Sequence, residues 1–287
     1  MKIGVIGVGA MGLPIALRLH DLGHKVFVRD LLAGREALAA GCTVARSAAT
    51  LADQVELVIV AVVDGVQTQD VLFGPAGVVR AGRRPQAVLL CPTIAAADTE
   101  ACARQLEALG IDALDAPMSG GPARAREGSM SLMVACRGEV FERWRPLLQQ
   151  MASRLFHVGT RPGDGARTKL INNLLAAVNL AAMGEAMALA ERLGLDLAGT
   201  LAVIEQSSGH SWIGSERMQR ALAGEPGVMA QIALLAKDSA LALQLAADAG
   251  ASVPVGAVAA ERFAQAVQAG WAQQDDAQLW RLNAQRP

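Results

Sequence analysis

The residues best suited to chemistry lie close together, within residues 163–173. Lys169 and Asn173 are four residues apart, so on a helix they share one face. A lysine in a partly desolvated cleft can exchange a proton with a substrate hydroxyl, and an amide beside it can hydrogen-bond that substrate. The two residues alone leave a second interpretation open, in which Lys169 is an ordinary solvated lysine at the start of a helix.

Small and hydroxyl-bearing residues follow two of the predicted strands. Ser119, Gly120 and Gly121 come shortly after the predicted strand 112–115, and their successive N–H groups could form a nest for a carboxylate. An ordinary glycine turn is the alternative. Thr93 follows the fourth predicted strand, at the carboxyl edge of the sheet, where ligands bind in folds of this kind.

A glycine-rich turn directly after the first apolar run is the strongest single motif. Gly7, Gly9 and Gly12 form G-x-G-x-x-G between a predicted strand and a predicted helix. In such turns the first glycine allows a tight bend, the second lets a pyrophosphate approach, and the third lets the helix pack closely. The helix N-terminus also favours phosphate. The turn therefore predicts a dinucleotide site that includes Ala10 and Met11.

An acidic residue at the end of the second predicted strand bears on cofactor choice. Asp30 lies eighteen residues after Gly12, where a carboxylate can accept hydrogen bonds from ribose hydroxyls and repel a 2′-phosphate. We therefore expect NAD as the cofactor. Arg29 and Arg35 leave NADP open, because a guanidinium can pair with a phosphate.

The elements that must position these residues alternate over residues 1–162. Short runs rich in valine and isoleucine, typical of parallel strands buried on both faces, alternate with helical patterns. This predicts an α/β fold with a Rossmann-type, doubly wound, mostly parallel sheet. The runs 130–135 and 155–157 follow one another without a clear crossover helix, so we expect an antiparallel far edge.

Strand patterns end near the turn-rich residues 159–165. Residues 163–287 are predicted to form a second, all-helical domain that binds substrate and mediates dimerisation. A predicted helix over residues 166–193 is apolar on more than one face, which indicates burial, part of it against a second subunit. We therefore expect a homodimer or homotetramer.

Composition narrows the function classes further. Tyrosine is absent, aromatic residues make up 3% and the net charge is −1, so neither a nucleic acid nor an anionic membrane is an expected partner. The longest apolar stretch contains Glu185, which argues against a membrane span. The four cysteines and four histidines show no metal-ligand spacing, so we expect no metal, reduced thiols and a cytoplasmic protein.

Four motifs in this order resemble the β-hydroxyacid dehydrogenases, the family of 3-hydroxyisobutyrate dehydrogenase. They are GVGAMG (7–12), DAPMSGG (115–121), GDGARTKLINN (163–173) and Lys237-Asp238. The resemblance covers nearly the whole chain. It implies that Lys169 and Asn173 are catalytic, that Lys237 contacts the cofactor, and that a small hydroxy acid is oxidised with NAD or NADP.

The same resemblance implies the remaining site residues. Substrate-binding residues would be Ser119, Gly120, Gly121, Thr93 and Trp212, and cofactor-binding residues would be Gly7, Gly9, Ala10, Met11, Gly12, Asp30, Val62, Val63, Thr93 and Lys237. The chain departs from the family pattern at two places. Pro92 stands where relatives often have serine, and Val62-Val63 stands where many have Leu-Pro.

The segments 71–78, 93–98 and 211–218 resemble the branch of the family that acts on four-carbon sugar acids such as L-threonate. Residues 206–209 also resemble the enzymes that act on 3-hydroxyisobutyrate. Two alternatives stay open from the sequence: an NADP-linked semialdehyde reductase of the same family, and a non-catalytic NAD-binding sensor.

Overall fold

The computed structural model describes residues 1–30, 41–224 and 227–284. It divides into two compact units, Met1–Lys169 and Leu170–Pro287. The predicted domain boundary follows residue 162, just before the longest helix, Asp164–Arg192. The division between the two compact units falls inside that helix, between Lys169 and Leu170.

The first unit is built on one mixed sheet. Its strands are β1 Lys2–Ile6, β2 Lys25–Arg29, β3 Thr43–Val44, β4 Leu57–Val60, β5 Ala87–Leu90, β6 Asp112–Asp115, β7 Met118–Ser119, β8 Ser131–Ala135 and β9 Arg154–Gly159. Six of them lie parallel in the order β3-β2-β1-β4-β5-β6. This is the doubly wound order of dinucleotide-binding folds, so the predicted Rossmann-type sheet is confirmed.

The far edge of the sheet differs in part from the prediction. Strand β8 is antiparallel to β6 and β7, as expected, but β9 is parallel to β8. A crossover helix, Gly138–Met151, joins β8 to β9, and the prediction that no such helix is present was wrong. Parallel neighbours require a crossover of this kind, because a tight hairpin can join only antiparallel strands.

Six helices of the first unit cover the sheet. They are α1 Gly12–Asp21, α2 Ala48–Ala52, α3 Gly65–Phe73, α4 Ala96–Ala108, α5 Gly121–Glu127 and α6 Gly138–Met151. One apolar cluster joins one face of the sheet to α1 and α6, and a second joins the other face to α2 and α4. Burial on both faces explains why β1, β4 and β5 are almost continuously apolar. The helix predicted over residues 34–40 lies outside the described residues.

The remaining elements are helical, as predicted. They are α7 Asp164–Arg192, α8 Leu197–Glu205, α9 Trp212–Ala223, α10 Ile232–Asp248, α11 Pro254–Ala266 and α12 Arg281–Ala284, with a short π-helix at Val267–Trp271 and a 3-10 helix at Asp276–Trp280. Within the second unit, Leu180, Ile232 and Phe263 form the centre of one apolar cluster, and Met187 and Met218 form the centre of another.

Helix α7 is long and apolar enough to cross a membrane, judged by length and composition alone. Half of its most apolar 18-residue window is buried inside the protein. A helix that is apolar around most of its girth and partly buried in the protein passes the same test without spanning a membrane. We therefore interpret α7 as a core helix.

All four cysteines are free and buried. Burial raises the pKa of each thiol, to about 11 for Cys102 and about 12 for Cys136. A buried thiol in apolar surroundings is unreactive, so these residues act as small core side chains.

Candidate active site

The glycine-rich turn between β1 and α1 has the shape expected of a dinucleotide cradle. Gly7 has a φ of 87°, which L side chains rarely adopt. A Cβ on Gly12 would lie 1.8 Å from the carbonyl oxygen of Gly7, so no larger residue fits there. A Cβ on Gly9 would meet no described atom within 4 Å, which leaves the side on which a pyrophosphate would approach open.

Asp30 reaches back to this turn from the end of β2. Its Oδ2 accepts a hydrogen bond from the N–H of Val8 at 2.9 Å. Gly7 donates to the carbonyl oxygen of Arg29 at 3.0 Å, so two bonds hold the turn against the second strand. The Arg29 guanidinium donates to the backbone carbonyl of Asp30 at 2.6 Å. Arg35 lies outside the described residues.

Val62 and Val63, predicted to contact the cofactor, follow β4. A Cβ on Gly7 would lie 3.0 Å from Cγ1 of Val62, so Val62 packs against the turn. Val63 is about half exposed, and its N–H donates to Oε1 of Gln67 at 3.3 Å. The structure therefore brings Val62 to the dinucleotide turn, while Val63 lies at the surface of the start of α3.

The segment from Ser119 to Gly121 joins β7 to α5. Gly120 has a φ of 134° and Gly121 a φ of 76°. Positive φ values of this size are readily adopted only by glycine. Thr93 follows β5 and is partly exposed. Pro92 beside it is buried and offers no hydroxyl at the position where relatives often have one. An anion nest formed by the N–H groups of residues 119–121 stays a prediction.

Lys169 and Asn173 lie one turn apart on α7, as the spacing predicts. Each side chain is only 8% exposed. The interpretation of Lys169 as a solvated helix-start lysine is therefore wrong, since a solvated lysine would expose most of its surface. A buried lysine that can reach the substrate is suited to act as a general acid/base.

A buried carboxylate, Asp238 on α10, joins two of the predicted site residues. Its Oδ2 accepts a hydrogen bond from the Asn173 amide at 2.6 Å, and its Oδ1 accepts one from Nζ of Lys237 at 2.7 Å. Asp238 is 7% exposed. It therefore fixes the Asn173 side chain with the amide nitrogen toward Asp238. The amide oxygen of Asn173 accepts a hydrogen bond from Nδ2 of Asn172 at 3.1 Å, and its second lone pair can accept one more.

The sequence prediction placed no role on Asp238, although it adjoins Lys237. Its partner Asn173 is 65 residues away along the chain, so no local spacing shows the pair. A second carboxylate, Asp115 at the end of β6, was also given no role. Burial raises its pKa to about 6, while hydrogen bonds from backbone N–H groups near the start of α7 lower it.

Trp212 is the first residue of α9, which Ser211 caps by accepting from the N–H of Gly214 at 3.2 Å. The indole is 47% exposed. It is therefore not a packing residue of the core, which was one of the two interpretations open from the sequence. Contact with substrate stays a prediction for Trp212.

Two family models cover almost the whole chain. The model described as the NAD binding domain of 6-phosphogluconate dehydrogenase matches residues 2–159. The model described as NAD-binding of NADP-dependent 3-hydroxyisobutyrate dehydrogenase matches residues 163–283.

Curated and solved relatives agree with these models. L-threonate dehydrogenase of Escherichia coli strain CFT073 is 34% identical, over 98% of this chain and 94% of its own. The 2-hydroxy-3-oxopropionate reductase of Escherichia coli K12 is 33% identical, over 97% and 96%. A crystal structure of 3-hydroxyisobutyrate dehydrogenase from Salmonella typhimurium is 32% identical, with a TM-score of 0.90 and coverage of 98% and 99%.

Proposed function

Because this chain belongs to the β-hydroxyacid dehydrogenase family, and so is an NAD(P)-dependent enzyme acting on a CH–OH group, we propose that it oxidises a four-carbon sugar acid such as L-threonate. The observation that carries the proposal is the pair of buried polar residues, Lys169 and Asn173, on successive turns of α7. The relatives named L-threonate dehydrogenase support this choice of acid.

Lys169 is the acid/base of the proposed reaction. In the direction of oxidation, Nζ of Lys169 accepts the proton of the substrate hydroxyl while the carbon–oxygen double bond forms. Until the departure of the hydride is complete, the ammonium so formed also stabilises the partial negative charge on that oxygen. Asn173, held by Asp238, hydrogen-bonds the substrate, and the N–H groups of residues 119–121 bind its carboxylate.

The dinucleotide turn fits the cofactor that the family uses. Gly7 and Gly12 allow the tight turn, Gly9 leaves room for a pyrophosphate, and the N-terminus of α1 favours its charge. A bound nicotinamide cofactor would supply the acceptor for the hydride that leaves the substrate carbon. Asp30 at the ribose end favours NAD over NADP in this proposal.

A second candidate is supported by the similarity to 2-hydroxy-3-oxopropionate reductase. In that case the enzyme reduces a semialdehyde, and Lys169 donates the proton rather than accepting it. The same residues serve both directions, because an acid/base acts in either sense. Arg29 beside Asp30 would then pair with the 2′-phosphate of NADP.

The test is turnover at alkaline pH with a panel of L-threonate, D-erythronate, 3-hydroxyisobutyrate, D-glycerate and L-serine, each with NAD and with NADP. We expect L-threonate with NAD to give the highest kcat/KM. A separate assay supplies 2-hydroxy-3-oxopropionate with NADPH, and turnover of that compound alone would favour the second candidate. Tight NADH binding without turnover of any of these compounds would overturn both.

An apolar stripe on α7 supports the proposal that the enzyme is a homodimer or homotetramer. Ile171 and Leu175 are each more than half exposed, and Ala182 and Leu189 continue the same face at spacings of seven. A contiguous exposed apolar surface of this kind is typical of an interface with another chain.

We expect elution as a dimer or larger assembly in size-exclusion chromatography with light scattering, and Leu175→Glu should shift the protein toward monomer. Leu22→Glu, at an equally apolar but isolated exposed position after α1, is the matched control and should leave the assembly intact. Elution of the unaltered protein as a monomer at micromolar concentration would contradict the proposal.

We also place the enzyme in the cytoplasm. Its four cysteines are free and buried, which agrees with a reducing compartment, where disulfides are rare.

A further inference from the structure

The start of α7 is tied to the end of β6 by one buried carboxylate. Asp115 is 1% exposed, and its Oδ2 accepts hydrogen bonds from the N–H groups of Gly163 at 2.7 Å and Ala166 at 3.0 Å. The first N–H groups of a helix have no acceptor within the helix. Asp115 therefore supplies the acceptor, and its negative charge faces the positive end of the helix dipole.

The helix start approaches Asp115 as closely as the backbone permits. A Cβ on Gly165 would lie 2.9 Å from Cγ of Asp115 and 2.7 Å from the carbonyl oxygen of Met133 on β8. Any larger residue would push the first turn of α7 away from the sheet. The contact therefore fixes both the distance and the rotation of the helix at this point.

A second contact holds the same turn from the partly exposed side. Arg167 donates to Glu100 on α4, and also to Oδ1 of Asp164 at 3.2 Å. Thr168 donates from its hydroxyl to the carbonyl oxygen of Asp164 at 2.8 Å. The first turn of α7 thus has a buried contact with Asp115 and a partly exposed contact with Glu100.

Two of the proposed site elements depart from this junction. Lys169 lies three residues after Ala166, about one helical turn further along α7. Ser119 lies four residues after Asp115, at the end of β7. We propose that Asp115 is a positioning residue, which sets Nζ of Lys169 relative to the turn formed by Ser119, Gly120 and Gly121. This inference rests on the role proposed above for Lys169.

The expected effect is on turnover rather than on binding. Asparagine keeps one oxygen for Gly163 and Ala166, but it removes the negative charge at the helix start and turns an NH2 group toward the N–H of Gly165, so the first turn of α7 must shift. Displacing a reacting group by about 1 Å can cost about 100-fold in rate, so we expect Asp115→Asn to lower kcat for L-threonate by about 10- to 100-fold. The dissociation constant of NADH should change by less than about twofold, because the dinucleotide turn makes none of these contacts.

A double-mutant cycle separates positioning from a general loss of structure. If Asp115 acts through Lys169, then Asp115→Asn should lower the residual kcat of the Lys169→Ala enzyme by less than about twofold. Asp112→Asn is the matched control, since Asp112 lies on the same strand but pairs with Arg137 at 2.9 Å and Arg143 at 2.6 Å. It should leave kcat unchanged in both backgrounds.

Different outcomes overturn different claims. An equal loss of kcat from Asp115→Asn in both backgrounds would overturn the positioning role of Asp115. Full turnover by Lys169→Ala would instead overturn the proposed function. If Asp115→Asn does not fold, Gly165→Ala is the second test, because it keeps the carboxylate but displaces the helix start. We then expect Gly165→Ala to lower kcat. An unchanged kcat in that variant would also overturn the proposal.

Discussion

Replacing Lys169 by alanine is expected to lower kcat by about 10²–10⁴-fold, the usual contribution of a general acid/base. Lys169 is buried on α7 one turn before Asn173, and alanine leaves no group at that place that can accept or donate a proton. The dissociation constant of NADH should change by less than about twofold, since the proposed role of Lys169 is in the chemical step. Steady-state kinetics and fluorescence titration with NADH measure the two quantities.

Lys25→Ala provides the control for this variant. Lys25 is an exposed lysine at the start of β2, and its ammonium lies 5.4 Å from the centre of the Phe27 ring. Its removal should leave kcat unchanged. A parallel loss of NADH affinity and turnover in Lys169→Ala would mean that Lys169 supports the structure rather than the reaction.

The second large effect is expected at Asp30, where asparagine should raise the ratio of kcat/KM with NADP to that with NAD by about tenfold or more. A hydrogen bond to a charged group contributes about 1.5–3 kcal/mol, and the substitution also removes the repulsion of a 2′-phosphate. Asparagine is the informative replacement, because its side-chain oxygen can still accept from the N–H of Val8 and so keep the turn in place. Initial rates with both cofactors give the ratio.

Asp21→Asn is the comparison for this experiment. Asp21 ends α1 and pairs at the surface with Arg126, so its replacement changes the net charge equally without touching the turn. An unchanged cofactor ratio in Asp30→Asn would show that other residues recognise the ribose.

The sequence predicted the first unit well where its patterns were local. Strands buried on both faces are continuously apolar, and that pattern is visible in a short stretch of sequence. The turn from Gly7 to Gly12 needs glycine, because a Cβ on Gly12 would collide with the carbonyl oxygen of Gly7. The helix α6 was overlooked although Val140, Phe141 and Trp144 recur at helical spacing. Charged residues on its exposed face and Pro146 inside it interrupt the run, and they hid the period.

The candidate site could be predicted only as separate segments. The motif around Lys169 shows that the lysine and Asn173 share a helix face, but it does not show what holds either one. Asp238 and Asp115 meet their partners from 65 and about 50 residues away, and a carboxylate's burial depends on packing that no short pattern encodes. Both were therefore found only from the three-dimensional arrangement.

The burial of every cysteine has a practical consequence for labelling. Maleimides and iodoacetamide react with thiolates, and burial keeps these thiols protonated and out of reach. A cysteine introduced at Val66, which is 81% exposed on α3, would then be the one fast-reacting thiol of the enzyme. A fluorophore attached there would report on the neighbourhood of the dinucleotide turn without any prior removal of native cysteines.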